Sequence, residues 1–273
     1  VLWVVDGVPG APIASMNDIE TIVVLKDAAS AAIYGAQSGA GGVILVTTKK
    51  AKEGKTSLSY DATFGVRKAS NVIEPLNAEE QLEMRKLSYA NAGLTLPTGW
   101  DLTKNPWVGT TRTNWMDEIL QDALTQEYNL SVSGGNEKSN YAFSGNYTDQ
   151  TGIIKNSGYE RFAVRANIGS HVKPWLNTGL NINFTRSLTK FAKSNSYDYS
   201  IIRSAMLYLP TLYVGDKTED DSYAWLSANP RTYVNTAKDE LKSINVFTSA
   251  FAEIKILDCL KFRQNLGISY SVN

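Results

Sequence analysis

Four groups of residues have the types and spacing that chemistry needs, and each points to a different reaction or ligand. Gly35-Ala36-Gln37-Ser38-Gly39-Ala40-Gly41-Gly42 has the glycine density of a phosphate-binding loop. Such loops follow a strand and open a helix, whereas this run follows an Ala-rich helical stretch and leads into the strand-like Val43-Ile44-Leu45-Val46-Thr47-Thr48. It also has no Gly-Lys-Ser/Thr, so the reading is a tight turn. Asp216, Glu219, Asp220 and Asp221 form an oxygen-rich segment. Their spacing is not that of a calcium loop, and a solvated acidic loop is the simpler reading. Asp6, Glu20, Lys26 and Asp27 form a charge group near the start, read either as an internal contact or as ordinary surface charge. No nucleophile or cleft accompanies these carboxylates, so the expectation is no enzyme, no catalytic residue, no metal and no cofactor. Last, Trp100, Trp107, Trp115, Tyr213, Tyr223, Trp225 and Tyr233 gather in two long connections. Their rings can stack on sugars, pack the connections together, or meet a partner protein.

The elements that must position these residues divide the chain in two. Val1 to Asp6 is a short apolar run closed by Asp6-Gly7-Val8-Pro9. Ile19 to Lys26 reads as a buried strand, Asp27 to Tyr34 as a short helix capped by Gly35, and Val43 to Thr48 as a second buried strand. This small α/β unit occupies residues 1–54. Beyond it, over 55–273, the pattern becomes strict alternation. Leu58, Tyr60, Ala62, Phe64 and Val66 oppose Ser57, Ser59, Asp61, Thr63 and Gly65, and six further runs follow near 127–133, 140–147, 161–168, 176–184, 245–256 and 260–270. Each run has one apolar and one polar face. The run near 245–256 is less clean, because Phe247 and Phe251 fall on its polar face. The connections alternate long and short: long near 68–124 and 187–243 with a medium one through Gly152 to Gly158 between them, and tight at Gly134-Gly135-Asn136-Glu137, Val172-Lys173-Pro174 and Leu257-Asp258. A transmembrane β-barrel has short turns on one side and long loops on the other; a sandwich has no reason to obey that parity. In the first long connection Asn77 and Glu80 have capping-box spacing, and Gln81 to Ala92 is a helix ended by Gly93.

Bulk composition agrees. Hydrophobic residues make up 43% and charged residues 20%, which excludes disorder. Lys and Arg number 27, as do Asp and Glu, so there is no basic excess for nucleic acid. One Cys, Cys259, permits no internal disulfide, and one His, His171, permits no paired imidazoles. No run approaches the ~18 apolar residues of a membrane helix, but a spanning strand needs only about 10 residues, half of them apolar. The opening at Val1, without Met and inside a strand, suggests a piece of a longer chain.

These segments resemble the SusC/RagA type of TonB-dependent outer-membrane transporter. The resemblance is carried by Val4-Val5-Asp6-Gly7-Val8-Pro9, Asn17-Asp18-Ile19-Glu20, Val24-Leu25-Lys26-Asp27-Ala28, Ala32-Ile33-Tyr34-Gly35 and Gly42-Val43-Ile44-Leu45-Val46-Thr47-Thr48-Lys49, in the family's order. It continues through Asn77-Ala78-Glu79-Glu80, Asn114-Trp115-Met116-Asp117-Glu118-Ile119, Asn129-Leu130-Ser131-Val132-Ser133-Gly134-Gly135 and Gly152-Ile153-Ile154-Lys155-Asn156-Ser157-Gly158-Tyr159. It implies a mainly β fold: the end of a plug domain over 1–54, then the first antiparallel strands of a 22-stranded plugged barrel over 55–273, with the long connections extracellular. It implies the outer membrane of Bacteroidetes and import of a glycan, with peptide or metal chelate as alternatives. The implied partners are a SusD-like surface lipoprotein, the TonB–ExbB–ExbD complex acting through a segment absent here, and outer-membrane lipid. Asp6, Gly7, Glu20, Lys26, Asp27, Tyr34, Gly35 and Gly42 are the implied plug motif. Trp100, Trp107, Tyr213, Tyr223 and Trp225 are candidate substrate or partner contacts, and Trp115 is read as structural. A non-transporting surface barrel, adhesin or scaffold, is the reading from a different class.

Overall fold

The computed structural model describes residues 1–10, 16–27, 32–34, 42–49, 54–192, 200–212, 229–236 and 238–273. Strands β1 (Leu2–Val5), β2 (Val8–Pro9), β3 (Ile19–Leu25) and β4 (Val43–Thr48) form one sheet in the order β2-β1-β4-β3. β1 runs parallel to β4, and β3 runs antiparallel to it. Alternation splits the sheet's apolar residues between two faces. Val4 and Val43 pack on one face with Leu2, Leu25 and Tyr34, the last from a 3-10 turn at Ala32–Tyr34. Val5 and Val46 pack on the other. Gly42 is required by geometry. It sits at φ +77°, and a Cβ there would lie 2.6 Å from the Leu25 carbonyl oxygen.

The expected buried strand over 19–26 needs correction. β3 is an edge strand, and Ile22, Val23 and Val24 are about half exposed. The apolar run was compatible with burial on both faces, but among the described residues β3 is covered only along the edge it shares with β4.

The second sheet has seven strands: β5 (Gly54–Arg67), β6 (Ala123–Gly135), β7 (Ser139–Thr151), β8 (Gly158–Lys173), β9 (Leu176–Lys190), β10 (Glu240–Leu257) and β11 (Leu260–Val272). They form an antiparallel meander in sequence order. The seven alternating runs are these seven strands, and the mainly β architecture is as expected.

Burial in this sheet is inverted relative to a water-soluble protein. The large apolar residues Leu58, Phe64, Leu130, Phe143, Ile168, Ile182 and Leu266 are exposed. The buried residues of the opposite face include Asn129, Asn146, Thr148, Arg165, Asn167, Asn181, Asn183 and Ser249. A wall with an apolar outside and a polar inside suits lipid on one face and a polar lumen on the other. No described helix is long and apolar enough to cross a membrane, which says nothing of strands.

The long connections carry the helices. α1 (Ala78–Asn91) begins at the Asn77–Glu80 capping box, which is formed as expected. Gly93 follows it at φ +67°. α2 (Trp115–Ile119) lies in the same connection, and α3 (Ile201–Leu207) and α4 (Pro230–Thr236) lie in the second. Trp115, Met116 and Ile119 of α2 pack with Ile201, Ala205 and Val234, and with Ile154 from the β7–β8 connection. Three connections far apart in sequence therefore share one core at one end of the wall.

Candidate functional site

The small sheet docks against the polar face of the wall, and two of its contacts are well defined. The first is apolar. Phe247 of β10 is 4% exposed and inserts into the cluster of Val5 and Val46, with Val8, Ile19 and Ile44 around it. This explains why a phenylalanine stands on a polar face: its environment is the small sheet, not the lumen. Burying such a ring is worth about 1.5–3 kcal/mol.

The second contact is a polar relay. The Arg165 guanidinium of β8 donates to the Thr48 hydroxyl, and that hydroxyl donates to the Asp6 carboxylate. The Thr48 amide donates to the other Asp6 oxygen at 3.0 Å. Arg165 also reaches the Lys49 carbonyl at 3.5 Å and the Asp6 carboxylate at 3.7 Å. Both ionic side chains are largely withdrawn from water, at 5% exposure for Arg165 and 13% for Asp6. Asp6 holds a left-handed backbone, φ 52°, followed by Gly7 at φ 84°. Asp is among the few residues that tolerate this region, which here turns the carboxylate towards Thr48.

Below the Asp6–Gly7 turn lies a cavity of about 480 Å³, lined by Asn140, Gly169, Asn177, Phe251, Glu253 and Arg263 among others. The Phe251 ring lies across Gly179, its register partner, where a Cβ would collide with it. Arg263 stacks on the same ring at 4.2 Å. The second aromatic residue on the polar face of β10 is thus held by a glycine and a cation. His171 bonds Asn177 through Nδ1 at 2.6 Å.

The sequence-predicted residues are placed as follows. Asp6 and Gly7 form the docking turn; Tyr34 and Gly42 belong to the packing and geometry of the small sheet. Glu20, Lys26 and Asp27 are exposed on and beside β3, with Glu20 at the bulge opposite Thr47 and Thr48. Gly35 and the rest of the run 35–41 lie outside the described residues, as do Tyr213, Tyr223, Trp225 and the acidic segment 216–221. Trp100 is 3% exposed and packs with Val108 and Leu209, so its ring contacts are within the loops. Trp107 is 40% exposed. Trp115 is 1% exposed; its indole Nε1 donates to the Leu209 carbonyl at 2.9 Å, and its ring meets Tyr208 edge-on at 4.8 Å. Next to Trp100, the hydroxyl and amide of Thr103 hold the Asp101 carboxyl below the usual carboxylate range. Among the described residues no group of His, Cys, Asp and Glu is arranged to hold a metal.

Sequence reasoning missed Arg165 and Thr48. Arg165 read as one polar residue among several on its strand. The available signal was its type, a long charged side chain at the middle of a polar-face run, a signal that Arg161 on the same strand shares.

No protein-family model matches the chain. Over 278 aligned residues it is 32% identical to the TonB-dependent receptor P3 of Formosa agariphila, covering 98% of this chain and 26% of that protein. It is 32% identical over 191 residues to the TonB-dependent receptor SusC of Bacteroides thetaiotaomicron, covering 68% of this chain and 18% of that protein. The chain thus spans about a quarter or less of these relatives' length. Among solved structures it is similar to the RagAB peptide importer in its closed-closed state, with TM-score 0.79, 21% identity, and coverage of 99% of this chain and 34% of the other.

Proposed function

We propose that this chain, which belongs to the SusC/RagA-type TonB-dependent receptors of the outer membrane, comes from an importer of oligosaccharides. In this reading residues 1–54 are the end of the plug and 55–273 the first strands of the barrel. The long connections near 68–124 and 187–243 face outward. The observation that carries the transport reading is the inverted wall with the small sheet docked on its polar side by Phe247 and the Arg165–Thr48–Asp6 relay. A scaffold needs no internal sheet seated in a lumen; an importer needs a seal that moves. Receptor names on the curated relatives support the same class and offer no enzyme.

The glycan reading is supported by the inner face. Asn129, Asn146, Asn167, Asn181 and Ser249 offer amides and a hydroxyl beside Glu127, Glu253 and Arg263 of the same face, and amides and hydroxyls suit sugar hydroxyls. The exposed Trp107 adds a stacking surface at the loops. A SusD-like lipoprotein lid and TonB–ExbB–ExbD energy belong to this reading as partners. Peptide is the second reading, since it is the cargo of the RagAB importer whose fold the chain shares.

The test is purification of the full-length parent from outer membranes in mild detergent, with mass spectrometry of what accompanies it. A stoichiometric surface lipoprotein with bound oligosaccharide is the expected result. Bound peptide would replace the cargo assignment, and a lone barrel without lipoprotein would overturn the SusC-like pairing.

A further inference from the structure

Asn183 stands out on the inner wall. It is 7% exposed, and its Oδ1 accepts no hydrogen bond among the described residues. Its neighbours in register are Arg165 on β8 and Phe247 on β10, the two wall residues that hold the small sheet. Paired residues on adjacent strands have Cβ atoms about 4.5–5.5 Å apart, well within reach of an arginine side chain.

The guanidinium carries five N–H donors and cannot shed its charge. In the docked arrangement it is satisfied by the Thr48 hydroxyl, the Lys49 carbonyl and the Asp6 carboxylate, all three on the small sheet. If the sheet left the wall, every one of those acceptors would leave with it. Release would cost those bonds together, and the guanidinium would need new acceptors from the wall or from lumen water.

We propose that Arg165 is a two-position latch, with Asn183 Oδ1 as its second acceptor. Docked, Arg165 binds the Thr48–Asp6 relay. Released, it turns along the wall and donates to Asn183. The wall thereby carries its own substitute acceptor, which lowers the barrier to moving the sheet without weakening the docked state. Arg165 and Asn183 are positioning residues for the opening of the lumen, and neither needs to touch cargo. The proposal rests on the transporter reading.

The experiment uses the full-length receptor in cells. A Cys259→Ser, Val46→Cys background places a thiol in the docked interface. Labelling by a membrane-impermeant maleimide is followed in hosts with and without TonB, at equal amounts of folded receptor judged by heat-modifiable migration. The parent should label faster with TonB. Asn183→Leu, which keeps the branched shape and removes the acceptor, should cut that TonB-dependent rate about tenfold, the factor one hydrogen bond to a charged group carries. It should leave the rate without TonB unchanged. Asn183→Asp, which retains an acceptor, should keep the parental rate or exceed it. Arg165→Gln should label quickly even without TonB. If Asn183→Leu behaves like the parent, or if Leu and Asp impair labelling equally, Asn183 only fills space and the latch is refuted. If the parent itself shows no TonB dependence, the transporter reading falls first and the latch with it.

Discussion

Replacing Trp115 by Phe tests whether the outer connections form one body. The indole donates to the Leu209 carbonyl at 2.9 Å across a separation of 94 residues, joining the β5–β6 connection to the β9–β10 connection. Phe keeps a ring for the edge-on contact with Tyr208 and for the packing with Ile201 and Val234. It removes one of the two donors to that carbonyl, which still accepts from the Leu212 amide at 3.1 Å. Losing one such hydrogen bond costs about 0.5–1.5 kcal/mol. Trp115→Ala also loses the packing of a large buried ring, about 3–5 kcal/mol. The assay is amide hydrogen exchange, by mass spectrometry, on the full-length receptor in detergent. If the two connections open together, Trp115→Phe should speed exchange of the peptide spanning 201–212 by roughly twofold to tenfold. Strands β5 to β11 should keep their protection. Trp115→Ala should expose the α1 region as well, because Trp100 and Val108 pack on the same Leu209. Unchanged exchange in 201–212 for Trp115→Phe would refute the claim that this bond couples the connections.

Three further outcomes follow from the same geometry. Phe247→Ala should loosen the small sheet on the wall by about 3–5 kcal/mol, read as increased vancomycin sensitivity of cells carrying the full-length receptor; parental sensitivity would show that the polar relay alone holds the seal. Gly42→Ala should lower the amount of folded receptor in the outer membrane, because the added methyl lies 2.6 Å from the Leu25 carbonyl oxygen at a positive φ; normal assembly would mean that turn can relax. Spin labels at 181 and 183 should be shielded from lipid-soluble oxygen, and labels at 180 and 182 accessible to it, since Asn181 and Asn183 are buried while Leu180 and Ile182 are exposed. The reverse pattern would end the barrel assignment.

What the sequence determined by itself was everything that depends on neighbours along the chain. Period-2 alternation is a local property of a strand, so seven strands and their two faces were legible, as were the long and short connections and the Asn77–Glu80 capping box. The exposure of β3 and the contacts of the odd residues were not. Phe247 read as a fault in its strand until the small sheet supplied its apolar surroundings. Glu20, Lys26 and Asp27 looked equivalent to Asp6, yet Asp6 alone of the four joins the Arg165–Thr48 relay. Trp100 and Trp107 looked alike as ring donors, and packing on Leu209 buries one while the other stays exposed. In each case the deciding partner comes from a distant segment, as with Arg165 and Thr48 at a separation of 117 residues. Such partners meet only when the sheet curves and a second layer is seated on it, and burial and charge pairing are consequences of that meeting rather than of residue type.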